Sequence, residues 1–275
     1  GNGHPYSWSA IFNGYNRKLM ESCQFPGIPR YLNQRNFPDD CIDYAKVTHI
    51  WTQNKSLSEK ISKTCYIENI VNDYEDMIGK VDGILLARDD AENHLQMSKP
   101  FLLNGLPIYI DKPLAFNLKE ANKIIDLQQY KGQLFSCSAL KYAEEFNPNK
   151  DKIMSLGKLI SIDAIIANSW EKYSIHVIEP ILKLIPNKGK LMKHLNFKTE
   201  NYQNLILTYE NIGKVSISTI GCSRVNPTIN IIGENGNLNL QFTNTFDAFK
   251  KALMAFTISI NHKDSNVNGN KLLEA

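Results

Sequence analysis

Apolar residues between positions 81 and 140 gather in short runs separated by amphipathic stretches. The first run, Ile84-Leu85-Leu86-Ala87, follows Gly83 and ends in the charged turn Arg88-Asp89-Asp90. The second, 106–110, ends in Asp111-Lys112-Pro113. Between them Leu95, Met97, Phe101 and Leu102 recur at near-helical spacing, and Asn104-Gly105 supplies a stop. The pattern predicts a βαβ unit of about 30 residues, whose strands run parallel. Pro100 falls inside its helix, where proline costs about 3 kcal/mol, so that helix is expected to be bent or to start late. Asn117, with Glu120 three residues on, opens another helix that Gly132 stops, and 134–139 reads as a further strand. Ligands on parallel sheets gather at the carboxyl ends of the strands, which places both charged tips at the ligand edge.

Upstream, 47–52 reads as a strand and 58–63 as part of the helix after it. The chain opens on Gly1-Asn2-Gly3-His4-Pro5-Tyr6, two of the three glycines of GxGxxG, ahead of a helix over 9–20. A bare pattern of this kind is matched as well by an ordinary glycine turn. The first glycine permits a tight turn and the second lets backbone approach a pyrophosphate, while Tyr6 in the third place holds the helix off. Pro5 suits a first helical turn, and His4 either points into the site or is solvated. Such a turn hangs from a preceding strand, so roughly five to ten native residues are expected before Gly1. Pro26, Gly27, Pro29 and Pro38 break the stretch 23–45. It reads as a surface loop or as a lid near the adenosine or substrate end.

From Gly157 the period changes. Strands are predicted over 160–167, 203–209, 214–219, 228–232 and 237–242, with turns at Asn211-Ile212-Gly213 and Gly233-Glu234-Asn235-Gly236. This makes an antiparallel sheet, one face on helices and the other free to pair with a partner subunit. Phe246, Phe249, Leu253, Phe256 and Ile260 form a helical stripe over 246–260. The last residues, 271–275, look like an interrupted helix.

Composition narrows the class. With 43% apolar and 21% charged residues in 275, the chain reads as one or two soluble globular domains. No apolar run approaches the ~20 residues that span a membrane. The net charge of +3 comes without a basic block interleaved with aromatics, which argues against nucleic acid. The five cysteines are scattered without CxxC spacing, as reduced thiols of a cytoplasmic protein would be, and no cluster has metal-ligand spacing.

The stretch 81–115 resembles the second half of the nucleotide-binding domain of the Gfo/Idh/MocA family (glucose–fructose oxidoreductase, inositol dehydrogenase, rhizopine catabolism). That family has a strand, an Ala-Thr-Pro-type loop, a His opening the next helix, a strand, then Glu-Lys-Pro. His94 stands seventeen residues before Asp111, the family's spacing. Asp111 replaces the glutamate, Lys112 takes the lysine's place, and the loop before His94 is one residue longer. Residues 71–77 resemble the family's short strand and Tyr-Glu-acid turn, and the late strands and helix resemble its second domain. The resemblance covers nearly the whole chain. It implies an α/β Rossmann-like parallel-sheet domain over 1–140, followed by an α+β domain over 141–275 with a large open, mostly antiparallel sheet. The second domain would bind substrate and form a homo-oligomer through that sheet.

The resemblance also implies an NAD(P)-dependent dehydrogenase or reductase of carbohydrate metabolism, moving a hydride to or from a sugar, polyol or sugar-nucleotide hydroxyl carbon. Gly1, Gly3, His4, Thr52, Gln53, Arg88, His94, Asp111, Lys112 and Pro113 would bind the cofactor, NAD or NADP. The tip Thr52-Gln53-Asn54-Lys55 has no acid for the ribose hydroxyls, which leans to NADP without excluding NAD. In the second domain the family shows an acid, a glycine, a His four residues after the acid, and a second acid three later. His176 and Glu179 fit; Lys172 stands in the first acid's place and Ser174 in the glycine's. Positions 172, 176 and 179 share one helix face, and a lysine there disfavours a charged imidazole. Lys112 and His176 would meet in the cleft between domains as the catalytic pair. The imidazole takes the hydroxyl proton at neutral pH, and the amine polarises the carbonyl or relays the proton. Lys141, Trp170, Lys172, Tyr173 and Glu179 would face the substrate. Bland readings stand beside these: a structural His176, a strand-end Lys112, a solvated Lys141, a solvated turn at Asp89-Asp90, Trp170 as a wall, Tyr173 as packing. With a glycine and an acid missing, the alternative is a non-catalytic dinucleotide-binding sensor or scaffold on the same fold.

Overall fold

The structure is a computed structural model and describes residues 2–261; Gly1 and the stretch 271–275 lie outside the described residues. Contacts divide it into two units, 2–136 with 253–261, and 137–252.

In the first unit α1 (His4–Asn13), α2 (Arg17–Glu21) and α3 (Gly27–Leu32) precede β1 (His49–Ile50), and α4 (Lys55–Cys65) leads to β2 (Asn69–Ile70). Then come β3 (Ile84–Leu86), α5 (His94–Leu103), β4 (Ile108–Ile110), α6 (Leu118–Ile125) and β5 (Leu134–Phe135). Pairing is parallel throughout: β1 with β2, and β3-β4-β5 in order. Ile84, Leu86, Ile108, Ile110 and Leu134 of the strands pack against Met97, Phe101 and Leu102 of α5. At about 1.5–3 kcal/mol per buried large side chain, this cluster outweighs the cost of Pro100. The helix accordingly starts at His94 without delay and carries the proline inside.

The helix expected over 9–20 is divided. Gly14, at φ 73°, ends α1, and the Asn16 side chain caps α2 by accepting from Leu19 N–H. The breaker-rich stretch 23–45 holds α3 and buries Ile28, Leu32 and Ile42, so it is anchored chain rather than free loop. Asn13 donates to Val47 O at 2.8 Å and accepts from Val47 N–H at 2.9 Å, which fixes the approach to β1. Residues 74–77 form the expected Tyr-Glu-acid turn, a 3-10 turn closed by a capping box between Asp73 and Asp76, while the short strand before it, β2, lies at Asn69–Ile70 rather than after Val71.

The second unit contains α7 (Lys150–Met154), β6 (Leu159–Ile166), α8 (Trp170–Tyr173), α9 (Ile175–Leu184), β7 (Leu191–Lys198), β8 (Gln203–Tyr209), β9 (Ile212–Thr219), β10 (Thr228–Gly233) and β11 (Gly236–Gln241); α10 (Thr245–Asn261) crosses the boundary. The sheet runs β11-β10-β6-β9-β8-β7. Its pairs are antiparallel except β6 with β9. This is the parallel-sheet domain followed by an open, mostly antiparallel sheet that the sequence implies. Strand alternation gives one apolar face, where Ile162, Ala164, Val215, Ile217, Ile229 and Ile231 are buried. The other face carries Asp163, Ser216, Ile206 and Leu195 in register. All eight residues of the edge strand β7 are exposed. Apolar Leu195 and Phe197 alternate there with His194, Asn196 and Lys198, a short period-2 signal that the expected strands do not include. All five cysteines are free thiols.

Candidate active site

The first unit brings several of the expected residues to one place. Asp111 follows β4 directly and is 2% exposed; Lys112 beside it is 8% exposed. A buried carboxylate requires hydrogen-bond donors, and Asp111 has them on both oxygens. Oδ2 accepts from Asn2 Nδ2 at 2.8 Å and lies 2.6 Å from His4 Nδ1, while Oδ1 accepts from Lys112 N–H at 2.8 Å. His4 stacks on Trp8, and Trp8 on Tyr109 of β4, each pair 4.9 Å between ring centres. The start of α1 is thereby tied to the end of β4, so Gly3, His4, Asp111, Lys112 and Pro113 form one cluster. The Lys112–Pro113 peptide is cis.

The turn after β3 is held by its own ions. Arg88 forms a two-pronged pair with Asp90, and Asn93 donates to the same carboxylate at 2.8 Å. The guanidinium hydrogen bonds hold Asp90 at about 2, below the usual carboxylate range. His94 is fully buried. Its Nδ1 lies 3.0 Å from Leu114 O and its Nε2 3.1 Å from Arg88 O. It links the loop after β3 to the loop after β4 and is occupied in doing so. At the end of β1, Thr52 Oγ1 donates to Asn54 O at 2.7 Å and lies 2.9 Å from Ser58 Oγ; Gln53 is exposed.

In the second unit, Ser138 lies at the centre of the other expected residues. Its N–H donates to Glu179 Oε2 at 2.5 Å, and its Oγ lies 2.6 Å from His176 Nδ1. Lys141 Nζ meets Glu179 Oε1 at 3.3 Å. Burial pushes the Glu179 carboxyl up, against the opposing pull of the Lys141 charge and the Ser138 N–H. Burial, then the Lys141 charge, lowers Lys183. Tyr173, the last residue of α8, has its ring centre 5.7 Å from that of His176. Trp170 and Lys172 share α8 with it and are half-buried. Ser174, in helical conformation between α8 and α9, continues the turn.

Sequence reasoning missed Asn2 and Ser138. Asn2 carries no local signal for a partner 109 residues away. Ser138 carried one: a serine two residues before the Leu140 N–H that it caps. Among the described residues no group of His, Cys, Asp and Glu could hold a metal ion, and no helix is long and apolar enough to cross a membrane.

Residues 28–138 match the GFO_IDH_MocA model, described as an oxidoreductase family with an NAD-binding Rossmann fold. The match begins beyond the glycine turn and α1. No curated protein matches the sequence. The fold is similar to a probable dehydrogenase from Thermotoga maritima (TM-score 0.71, 12% identity, covering 84% of this chain and 86% of that one). It is similar also to myo-inositol 2-dehydrogenase from Lactobacillus plantarum (0.70, 13%, 84% and 86%). The dehydrogenase MviM from Clostridium difficile aligns over more of the chain (0.65, 17%, 93% and 92%). At such identities the likeness is one of fold.

Proposed function

We propose that this chain, whose residues 28–138 belong to the Gfo/Idh/MocA oxidoreductase family, is an NAD(P)-dependent dehydrogenase or reductase. Its substrate is a small carbohydrate: a sugar, polyol or sugar nucleotide that reacts at a hydroxyl carbon. The observation that carries the reading is Lys112, almost out of solvent at the carboxyl end of a parallel strand, beside the start of α1. The free thiols suit a reducing cytoplasm.

The residues present fit a dinucleotide along this edge. Asp111 and Lys112 stand where ligands of parallel sheets gather. Gly3 accepts no side chain: a Cβ there would lie 2.4 Å from Ile28 Cδ1 and 2.9 Å from Phe25 Cγ. The phosphate end is the weaker part of the fit. Those same side chains fill the space beside Gly3, Pro5 has no N–H to offer, and His4 N–H is directed to Asn2 Oδ1 at 3.3 Å. The phosphates therefore have fewer main-chain donors at α1 than a three-glycine turn gives.

A bound nicotinamide supplies or accepts the hydride. The chain's own groups handle the substrate oxygen, whose proton must leave when the alcohol is oxidised. Lys112 and His176 are the groups assigned to it, one to polarise the oxygen and one to take the proton. Glu179 and Lys141 hold the loop that bears Ser138 against His176, and Tyr173, whose ring lies beside His176, is assigned to the substrate together with Lys172 and Trp170 of the same helix.

Cofactor binding is measurable before any substrate is known. NAD(H) or NADP(H) at a hundredfold excess over Kd should raise Tm by roughly 5–10 °C. No shift with any of the four would refute the reading. A shift without turnover over a broad panel of sugars and polyols would favour the sensor or scaffold, to which the filled space beside Gly3 also points.

The reading includes a homo-oligomer through the open face of the sheet. Leu195 (53% exposed), Phe197 (60%) and Ile165 (43%) leave apolar surface there. Sedimentation should show a dimer or larger species, and Phe197→Asp with Leu195→Lys should shift it to monomer. A wild-type chain that sediments as a monomer at micromolar concentration excludes this part.

A further inference from the structure

The second glycine of a GxGxxG turn is there so that backbone, with no Cβ in the way, meets a pyrophosphate. In this chain the ground that a Cβ of Gly3 would take is held by two other side chains. Ile28 Cδ1 lies 2.4 Å from that Cβ position, and Phe25 Cγ and Cδ2 lie 2.9 and 3.1 Å from it. The glycine therefore opens nothing to a phosphate while Phe25 and Ile28 stay where they are. All three residues belong to the first unit. The two side chains differ in how firmly they are held. Ile28 is 7% exposed and shares the buried face of α3 with Leu32. Phe25 is half-buried, between exposed Gln24 and exposed Pro26 and Gly27. Its main chain is fixed: the carbonyl accepts from Ile28 N–H at 2.9 Å and from the Cys23 thiol at 3.5 Å. Gly27, two residues on, adjoins open space, since a Cβ there would meet nothing within 4 Å. The motion available to Phe25 is rotation about its side-chain bonds, which carries the ring off Gly3 with α3 in place. Ile28 then has only the end of a flexible side chain to shift.

We propose that Phe25 is a gate on the dinucleotide site, closed over Gly3 as the structure shows it and swung away when the pyrophosphate of a nicotinamide dinucleotide binds. The inference rests on the reading above, in which this edge takes NAD(H) or NADP(H), and it adds what limits entry there. Only molecules with the ring swung out bind, so the apparent Kd is raised by the inverse of their fraction. A minor conformer of this kind is populated at about 0.1–10%.

Calorimetric titration of the full chain tests this without a substrate. Phe25→Ala should tighten binding of the nicotinamide dinucleotide that the wild-type chain prefers by about 10-fold or more, the factor gained when a gate open in ~10% of molecules or fewer is removed. ADP-ribose, which carries the pyrophosphate and no nicotinamide, should gain as much. Adenosine, which lacks the pyrophosphate, should gain nothing. A Phe25 that only packs the turn predicts the opposite sign, because its loss would loosen the site and weaken binding. Unchanged or weaker dinucleotide binding by Phe25→Ala overturns the gate and leaves the cofactor reading in place. An equal gain for adenosine overturns it too. Absence of binding by both proteins removes the reading of the site itself, and the gate with it. Phe25→Leu shortens the ring and keeps an apolar side chain; it decides the question, with a smaller gain expected, if the alanine variant does not fold.

Discussion

The Lys112→Met protein is expected to lose roughly 10²- to 10⁴-fold in kcat for hydride transfer, the range that a positioned proton-transfer group contributes. Methionine keeps most of the stem's volume at a position only 8% exposed, so the change removes the amine with little disturbance of packing. If the amine acts on charge that develops in the transition state, kcat and kcat/KM fall together. A loss confined to KM would mean that Lys112 only binds. Combining it with His176→Gln adds a second reading. Groups that serve one oxygen lose less together than the sum of their separate losses. Steady-state nicotinamide absorbance with any sugar or polyol that the wild-type chain oxidises is sufficient. A Lys112→Met enzyme that turns over at the wild-type rate would defeat the assignment.

What was legible in the sequence follows from burial. The βαβ unit over 81–115 was readable because Ile84, Leu86, Ile108 and Ile110 are buried together with Met97, Phe101 and Leu102, and buried faces leave a period. The same holds for β8 to β11 and for α10. Edge strand β7 has no buried face, and its alternation, Leu195 and Phe197 among polar neighbours, is too short to stand out. The division of the first helix was present as Gly14 and Asn16, a stop and a cap two residues apart, yet apolar content on both sides reads as one helix. At the sites, short-range signals were legible and long-range pairs were not. Asp111-Lys112-Pro113 and the His176–Glu179 spacing are local patterns. The Asn2 and His4 contacts to Asp111, 109 and 107 residues away, and the Ser138 contact to His176, 38 away, arise only when the chain has folded. These are also the contacts that decide how each charged or titratable group is held.

His94→Ala should destabilise the first unit by about 3–5 kcal/mol. The ring is fully buried, so its removal leaves a cavity between α5 and two loops. It also strips the donor from one of the two carbonyls it faces, Leu114 O or Arg88 O, and an unsatisfied buried carbonyl costs about 1–3 kcal/mol. For a chain of this length the expected drop in Tm is roughly 6–20 °C. His94→Phe separates the two contributions: it fills the space without donating, and should recover only the cavity part. Melting of His94→Phe at the wild-type temperature would show that the hydrogen bonds contribute nothing. The loops so joined carry Arg88 on one side and Lys112 and Pro113 on the other. His94→Phe should therefore weaken NAD(H) or NADP(H) binding as well as stability, although both ring nitrogens of His94 are directed to main chain.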